Sequence, residues 1–186
     1  KQYTEYLERA AKRIADDKDY ITGLDAATGD GDHWANMNMG FEAIVKSIPE
    51  LSTMTISGLF KKIGMLMMSV IGGSSGVLYG SAYMAAAKAT DGKVLLDSET
   101  LCDALEAMEK GMMERGKSQP GFKTMIDAIH PAVQVYRKGL EDGTEEAKLL
   151  RQVKKAAMDG AESTKGMAAV KGRAYYQADQ GVGHID

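Results

Sequence analysis

The chain has 186 residues, 44% hydrophobic and 26% charged, with 23 Lys and Arg against 26 Asp and Glu and a formal net charge of −3. That length and balance suit one globular domain that buries its core without disulfide or metal support, and they exclude disordered and collagen-like structure. The acidic surplus argues against nucleic acid, the longest nearly apolar run (Ile63 to Ile71) is about half of a bilayer span, and no basic-then-apolar leader opens the chain, so the expected protein is cytoplasmic and free of membrane.

Glycine is abundant at 21 residues, proline scarce at 3, and 13 methionines accompany only 6% aromatics. This composition disfavours strands and leaves long segments unbroken by Pro. Apolar residues recur at three- and four-residue spacing, which predicts helices along nearly the whole chain. Tyr3, Leu7, Ala10 and Ile14 mark the first helix, and a polar stretch from Thr22 to His33 reads as a loop. Met37, Phe41, Ile44, Val45 and Ile48 mark a second helix that ends near Pro49. A third, through Leu59, Ile63, Leu66 and Val70, stops at Gly72-Gly73, and a fourth runs from about Val77 to Ala89. The fifth carries Leu101, Leu105, Met108 and Met112 behind the candidate N-caps Asp97 and Ser98. The sixth carries Met125, Ile129, Val133 and Tyr136 with a kink expected at Pro131. The seventh carries Leu149, Leu150, Val153 and Ala157, and a short eighth is expected over Ala174 to Ala178. Short connections imply antiparallel neighbours. The expected fold is all-α, an up-and-down antiparallel bundle of eight helices forming one domain over residues 1–186. Cys102 stands alone between Leu101 and Asp103, so it forms no internal disulfide and reads as a small buried hydrophobe.

Three groups of residues carry chemistry. Asp25, Asp30 and Asp32 lie within eight residues, separated by Gly29 and Gly31 and followed by His33 and Asn36. Carboxylates this close repel one another unless a cation intervenes, and Mg²⁺ or Ca²⁺ takes oxygen ligands of this kind. An EF-hand starting at Asp30 fails, because Trp34 and Phe41 occupy positions that need oxygen ligands. No Walker A sequence and no Gly-x-Gly-x-x-Gly is present. Gly72-Gly73-Ser74-Ser75-Gly76, between two helices, offers open N–H groups, two hydroxyls and a helix start, which suit a phosphate as well as they suit a tight interhelical turn. Arg173, in Gly172-Arg173-Ala174, offers a planar fork to a phosphate, although a lone Arg is more often a surface residue. His33, His130 and His184 are too scattered for a zinc set.

Taken in order, these motifs resemble the DhaL family, the nucleotide-binding subunits of bacterial dihydroxyacetone kinases. The resemblance rests on Asp25-x4-Asp30-Gly-Asp32-His33-x-x-Asn36-Met37, Gly72-Gly73-Ser74-Ser75-Gly76-x-Leu78-Tyr79-Gly80, Lys123-Thr124-Met125-x-Asp127-Ala128, and Lys171-Gly172-Arg173-Ala174 with Gly183-His184-x-Asp186. It implies an eight-helix antiparallel barrel with ADP or ATP and two Mg²⁺ ions at one end. It further implies that Asp25, Asp30 and Asp32 ligate Mg²⁺. His33, Asn36, Ser74 and Ser75 would face the phosphates, Gly116 and Met125 would lie near the adenosine, and Arg173 and Asp186 would close over the ligand. Trp34 departs from the family pattern, where a small residue follows the His, and Phe122 stands where an Asp often precedes Lys-Thr-Met.

The activity the resemblance implies needs no nucleophilic side chain, because the phosphoryl group is carried on bound nucleotide. In the phosphotransferase-system form, ADP is a coenzyme recharged by a phosphohistidine carrier subunit (M), and the phosphoryl group passes to dihydroxyacetone on a separate substrate subunit (K). A chain of 186 residues leaves no room for a substrate domain, which favours this form over a subunit that uses free ATP. The alternative from a different class is a regulatory module that signals nucleotide state to a transcription factor.

Overall fold

Scarce proline and regularly spaced apolar residues let helices run long, up to the 19 residues of the longest. The computed structural model describes residues 2–186, and no strand occurs among them. In chain order the helices are α1 (Gln2–Asp16), α2 (Lys18–Thr28), α3 (His33–Lys46), α4 (Ile48–Leu51), α5 (Ile56–Val70), α6 (Gly73–Ala89), α7 (Ser98–Gly116), α8 (Ile126–Glu141) and α9 (Glu146–Ser163). Single 3-10 turns follow at Thr164–Gly166 and Ala174–Tyr176. Three helix starts are set by side chains that accept from otherwise unpaired N–H groups: Thr55 from Gly58, Asp97 from Thr100, and Glu145 from Ala147 and Lys148. Pro49 sits in the first turn of α4, where its missing N–H costs nothing.

The all-α bundle is as expected, and eight of its described helices have 11 residues or more. Three local expectations change. Gly73 to Gly76, expected between two helices, form the first turn of α6, which starts at Gly73 and not near Val77. The stretch from Thr22 to His33 is not a loop throughout, because α2 continues to Thr28 and only residues 29–32 separate it from α3. Periodicity could not reveal α2, since none of its residues is buried. Contacts from outside the helix hold it instead: the Trp34 ring, whose indole donates to the Ile14 carbonyl of α1 (2.9 Å), lies under Lys18 at its start, and Gln177 Nε2 donates to the Ala27 carbonyl at its far end (3.2 Å). The short helix expected at Ala174 to Ala178 is only the 3-10 turn Ala174–Tyr176.

Packing proceeds in chain order, α1 on α3, α3 on α5, then α5 through α9 each on the next, with α6 most enclosed. Ile44, Leu51, Phe60, Ile63 and Met67 form the centre of the first core, and the Tyr3 ring meets Phe60 edge-on at 5.3 Å. Ala82, Met112 and Ile126 join α6, α7 and α8; Cys102, Tyr136 and Leu149 join α7, α8 and α9. Arg137 ties α8 to α7 by bonding Glu99, Asp103 and Glu106 at 3.0, 2.7 and 2.8 Å. No described helix is long and apolar enough to cross a membrane. Because adjacent helices alternate in direction, the first turns of α3, α6 and α8 and the last turn of α7 come to the same end. Residues 165–186 cross that end, and a cavity of about 1050 Å³ lies there.

Candidate functional site

The cavity is built from helix ends. Asp32 precedes α3, Gly72 precedes α6 and Met125 precedes α8, and none of the three starts is capped by its own N-cap side chain. Three partial positive charges therefore face one space, an arrangement that favours a multiply charged anion. Opposite charge is supplied alongside. Asp25 belongs to the last turn of α2 while Asp30 and Asp32 lie in the α2–α3 connection, and one carboxylate oxygen from each lies within 4.8 Å of the others. Asp25 Oδ2 accepts from the His33 N–H at 3.0 Å, which fixes its orientation at the start of α3.

Arg173, from the C-terminal segment, forms an ion pair with Asp30. The guanidinium holds the Asp30 carboxyl below the ordinary carboxylate range, first by its hydrogen bond, and Asp30 raises Arg173 in turn. Both side chains are about half exposed, so the pair is weak and exchangeable. His33 Nδ1 lies 3.4 Å from Ser75 Oγ, joining the starts of α3 and α6, and Asn36 Nδ2 donates to the Asp32 carbonyl at 3.2 Å. Partial desolvation at the cavity wall raises the Asp186 carboxyl above its usual range, although the residue as a whole is exposed.

All eleven residues singled out in the sequence line this one cavity: Asp25, Asp30, Asp32, His33, Asn36, Ser74, Ser75, Gly116, Met125, Arg173 and Asp186. Gly116 and Met125, with Leu78 and Met112, make the wall more apolar away from the carboxylates. Trp34 does not line it. Its ring turns back to α1 and lies under Lys18, whose Nζ is 4.8 Å from the ring centroid. Phe122 does not line it either, and its carbonyl accepts from the Val170 N–H at 3.2 Å. Sequence reasoning missed Lys123, Thr124, Arg115 and Tyr176 as lining residues. The Lys-Thr-Met motif was a signal for the first two, but no spacing rule assigns them a task.

Three clustered carboxylates are hard oxygen donors, which fits Mg²⁺ far better than a soft metal. The donors of α3, α6 and Arg173 beside them fit phosphate oxygens. Fold and site together define an all-α domain with clustered carboxylates, hydroxyls and helix starts around one cavity at one end.

Comparison with known proteins agrees. The DAK2 domain model matches residues 27–186. The chain is 36% identical over 185 residues to the PEP-dependent dihydroxyacetone kinase, ADP-binding subunit DhaL, of Escherichia coli (strain K12), covering 100% of this chain and 88% of that protein. It is 37% identical over 182 residues to the PTS-dependent dihydroxyacetone kinase, ADP-binding subunit DhaL, of Lactococcus lactis, covering 98% and 86%. The crystal structure of the dihydroxyacetone kinase from C. freundii in complex with AMP-PNP and Mg²⁺ superposes with a TM-score of 0.70 at 26% identity over 96% of this chain. The chain spans 31% of that larger kinase. This protein belongs to the DAK2 domain family, and its resemblance to DhaL subunits holds over the full chain.

Proposed function

We propose that this chain is the nucleotide-holding subunit of a dihydroxyacetone kinase, a single DhaL-type domain working in the cytoplasm with a phosphocarrier subunit and a dihydroxyacetone-binding subunit. One observation carries the reading: carboxylates, hydroxyls, helix starts and an apolar wall with the chemistry of a Mg²⁺-nucleotide site line one cavity. The relatives named as PEP- or PTS-dependent ADP-binding subunits match this chain over most of their own length, which supports the separate-subunit form.

Asp25, Asp30 and Asp32 would hold Mg²⁺, and the binding of AMP-PNP and Mg²⁺ by the C. freundii kinase supports a Mg²⁺-nucleotide as the ligand. When bound, Mg²⁺-ADP supplies the acceptor for the carrier's phosphoryl group and, once charged, the donor to dihydroxyacetone. The chain's own task is to position and to neutralise charge, the main needs of phosphoryl transfer. Ser74 and Ser75 present hydroxyls at the start of α6, and His33 orients Ser75 through their contact. Arg173, whose pair with Asp30 is half exposed and exchangeable, would offer its fork to phosphate oxygens while Asp30 served as a Mg²⁺ ligand. Gly116 and Met125 offer an apolar shelf to a base. Asp186, which lines the cavity from the C-terminal segment, would close over the phosphate end.

The test is reconstitution. The purified chain, mixed with the dihydroxyacetone-binding subunit and a phosphorylated carrier subunit, is expected to form dihydroxyacetone phosphate with only catalytic amounts of ADP. Turnover driven by ATP and not by the carrier would assign the free-ATP form instead. No product from either donor would overturn the enzyme reading in favour of a regulatory module.

A further inference from the structure

Lys123 is the most unusual charged residue in the molecule. Its side chain is fully buried, and its backbone is left-handed, with φ of 58°, a conformation that L-residues adopt only where the surroundings impose it. The turn that presents it is held by Asp127, whose carboxylate accepts from the N–H groups of Gly121 and Thr124 at 2.5 and 2.8 Å. A buried ammonium survives only if its protons are bonded. Lys123 Nζ donates to the Thr164 carbonyl at 2.6 Å and to the His184 carbonyl at 2.5 Å. Those two carbonyls lie at opposite ends of residues 165–186, the segment that carries Arg173 and Asp186 across the cavity. One side chain therefore closes the segment into a loop and pins both of its feet.

Other bonds shape the same segment. The Gly183 N–H donates to the Lys165 carbonyl at 2.8 Å, the Ala169 N–H to the Gln180 carbonyl at 2.9 Å, and the Asp186 N–H to Thr164 Oγ1 at 2.9 Å. All of these run within the segment or to its root at Thr164. Lys123 is what joins both feet to the α7–α8 connection, and Gly181 packs directly on it: a Cβ there would lie 3.1 Å from Lys123 Cε and 2.9 Å from the Ala174 Cβ, at φ of 71°. The segment's other polar ties to the rest of the chain are single contacts, Val170 to Phe122 and Gln177 to Ala27, besides the exposed pairs Arg173–Asp30 and Lys165–Glu162.

We propose that Lys123 is a positioning residue whose buried ammonium fastens segment 165–186 over the cavity and thereby sets how slowly a nucleoside diphosphate leaves with its Mg²⁺. The proposal rests on the nucleotide reading for its ligand, but the fastening itself is measured without any nucleotide.

Lys123→Met keeps the length of the side chain and removes both bonds. Lys165, Lys171 and Arg173 lie on the segment, so trypsin reports its release directly. Nucleotide-free Lys123→Met is expected to be cut there about ten to a hundred times faster than wild type, the scale set by a lost charged hydrogen bond, with helical circular dichroism retained. Dissociation of ADP in Mg²⁺ is expected to accelerate by a similar factor. Combined with Arg173→Ala, the two effects should fall short of multiplying, because a released segment no longer delivers Arg173. If Lys123→Met loses its helical signal, Gly181→Ala carries the test, since it leaves Lys123 in place and forces the segment off it. Wild-type trypsin rates in the folded variant overturn the proposal, whatever ADP does. Fully multiplicative effects with Arg173→Ala also overturn it. Wild-type protein that binds no ADP in Mg²⁺ contradicts the nucleotide reading and leaves the trypsin comparison to decide the fastening.

Discussion

Cys102 shows how a single residue's surroundings fix its chemistry. It is fully buried between α7, α8 and α9, and burial pushes its thiol up to about 11, with Arg137 offsetting only part of the effect. The thiolate is the reactive form, so at pH 8 iodoacetamide should label native Cys102 roughly a hundredfold more slowly than the unfolded chain. Labelling at the unfolded rate would show that the α7–α9 core opens freely. Site residues were legible in the sequence wherever chemistry required several like groups close together. Three Asp among glycines repel one another and so suit a cation, and hydroxyls with open N–H groups at a helix start suit a phosphate. Lys123 was not legible in this sense, because a lysine in a polar connection ordinarily points to solvent. Only the fold shows that two carbonyls 20 residues apart, Thr164 and His184, come together around it.

Helix starts and close approaches set the behaviour of the elements. Asp97 and Glu145 lie below the ordinary carboxylate range, chiefly because the N–H of Thr100 bonds Asp97 and those of Ala147 and Lys148 bond Glu145. A carboxyl lowered on folding stabilises the protein fully above its unfolded value and loses that contribution as pH falls through the folded one. Thermal unfolding should therefore drop on the acid side, and Asp97→Asn, which keeps an N-cap oxygen but cannot ionise, should flatten the drop. An unchanged acid limb would show that the α7 cap is not coupled to folding. At the α8–α9 contact, a Cβ on Gly160 would lie 2.2 Å from the Asp127 carbonyl and 2.9 Å from Pro131 Cγ. Gly160→Ala should cost about 1–3 kcal/mol by overpacking, read as a lower denaturant midpoint. Seven of the helices were plain from apolar spacing because each buries a face. α2 was not, since it buries none and is held by Trp34 and Gln177 from distant segments. The same bond explains why a bulky Trp34 is tolerated directly after His33: its indole satisfies a carbonyl at the end of α1 and stays out of the cavity.

Across the whole molecule, alternating helix direction is what turns separate motifs into a site. Residues from 25 to 186 in the sequence reach one cavity because α3, α6 and α8 begin at that end and α2 and α7 finish there. The formal charge of −3 includes three carboxylates gathered there, so a cation held as proposed would change the protein's electrostatics. Isothermal titration with ADP, with and without Mg²⁺, on wild type and Asp30→Ala measures this directly. Asp30 is half exposed, so its loss should leave the fold intact. Wild type should bind one ADP per chain only when Mg²⁺ is present, and Asp30→Ala should weaken that binding at least about tenfold, the scale set by a lost metal-ligand contact. ADP bound equally well without Mg²⁺, or unchanged by Asp30→Ala, would contradict the assignment of the carboxylates and with it the proposed function.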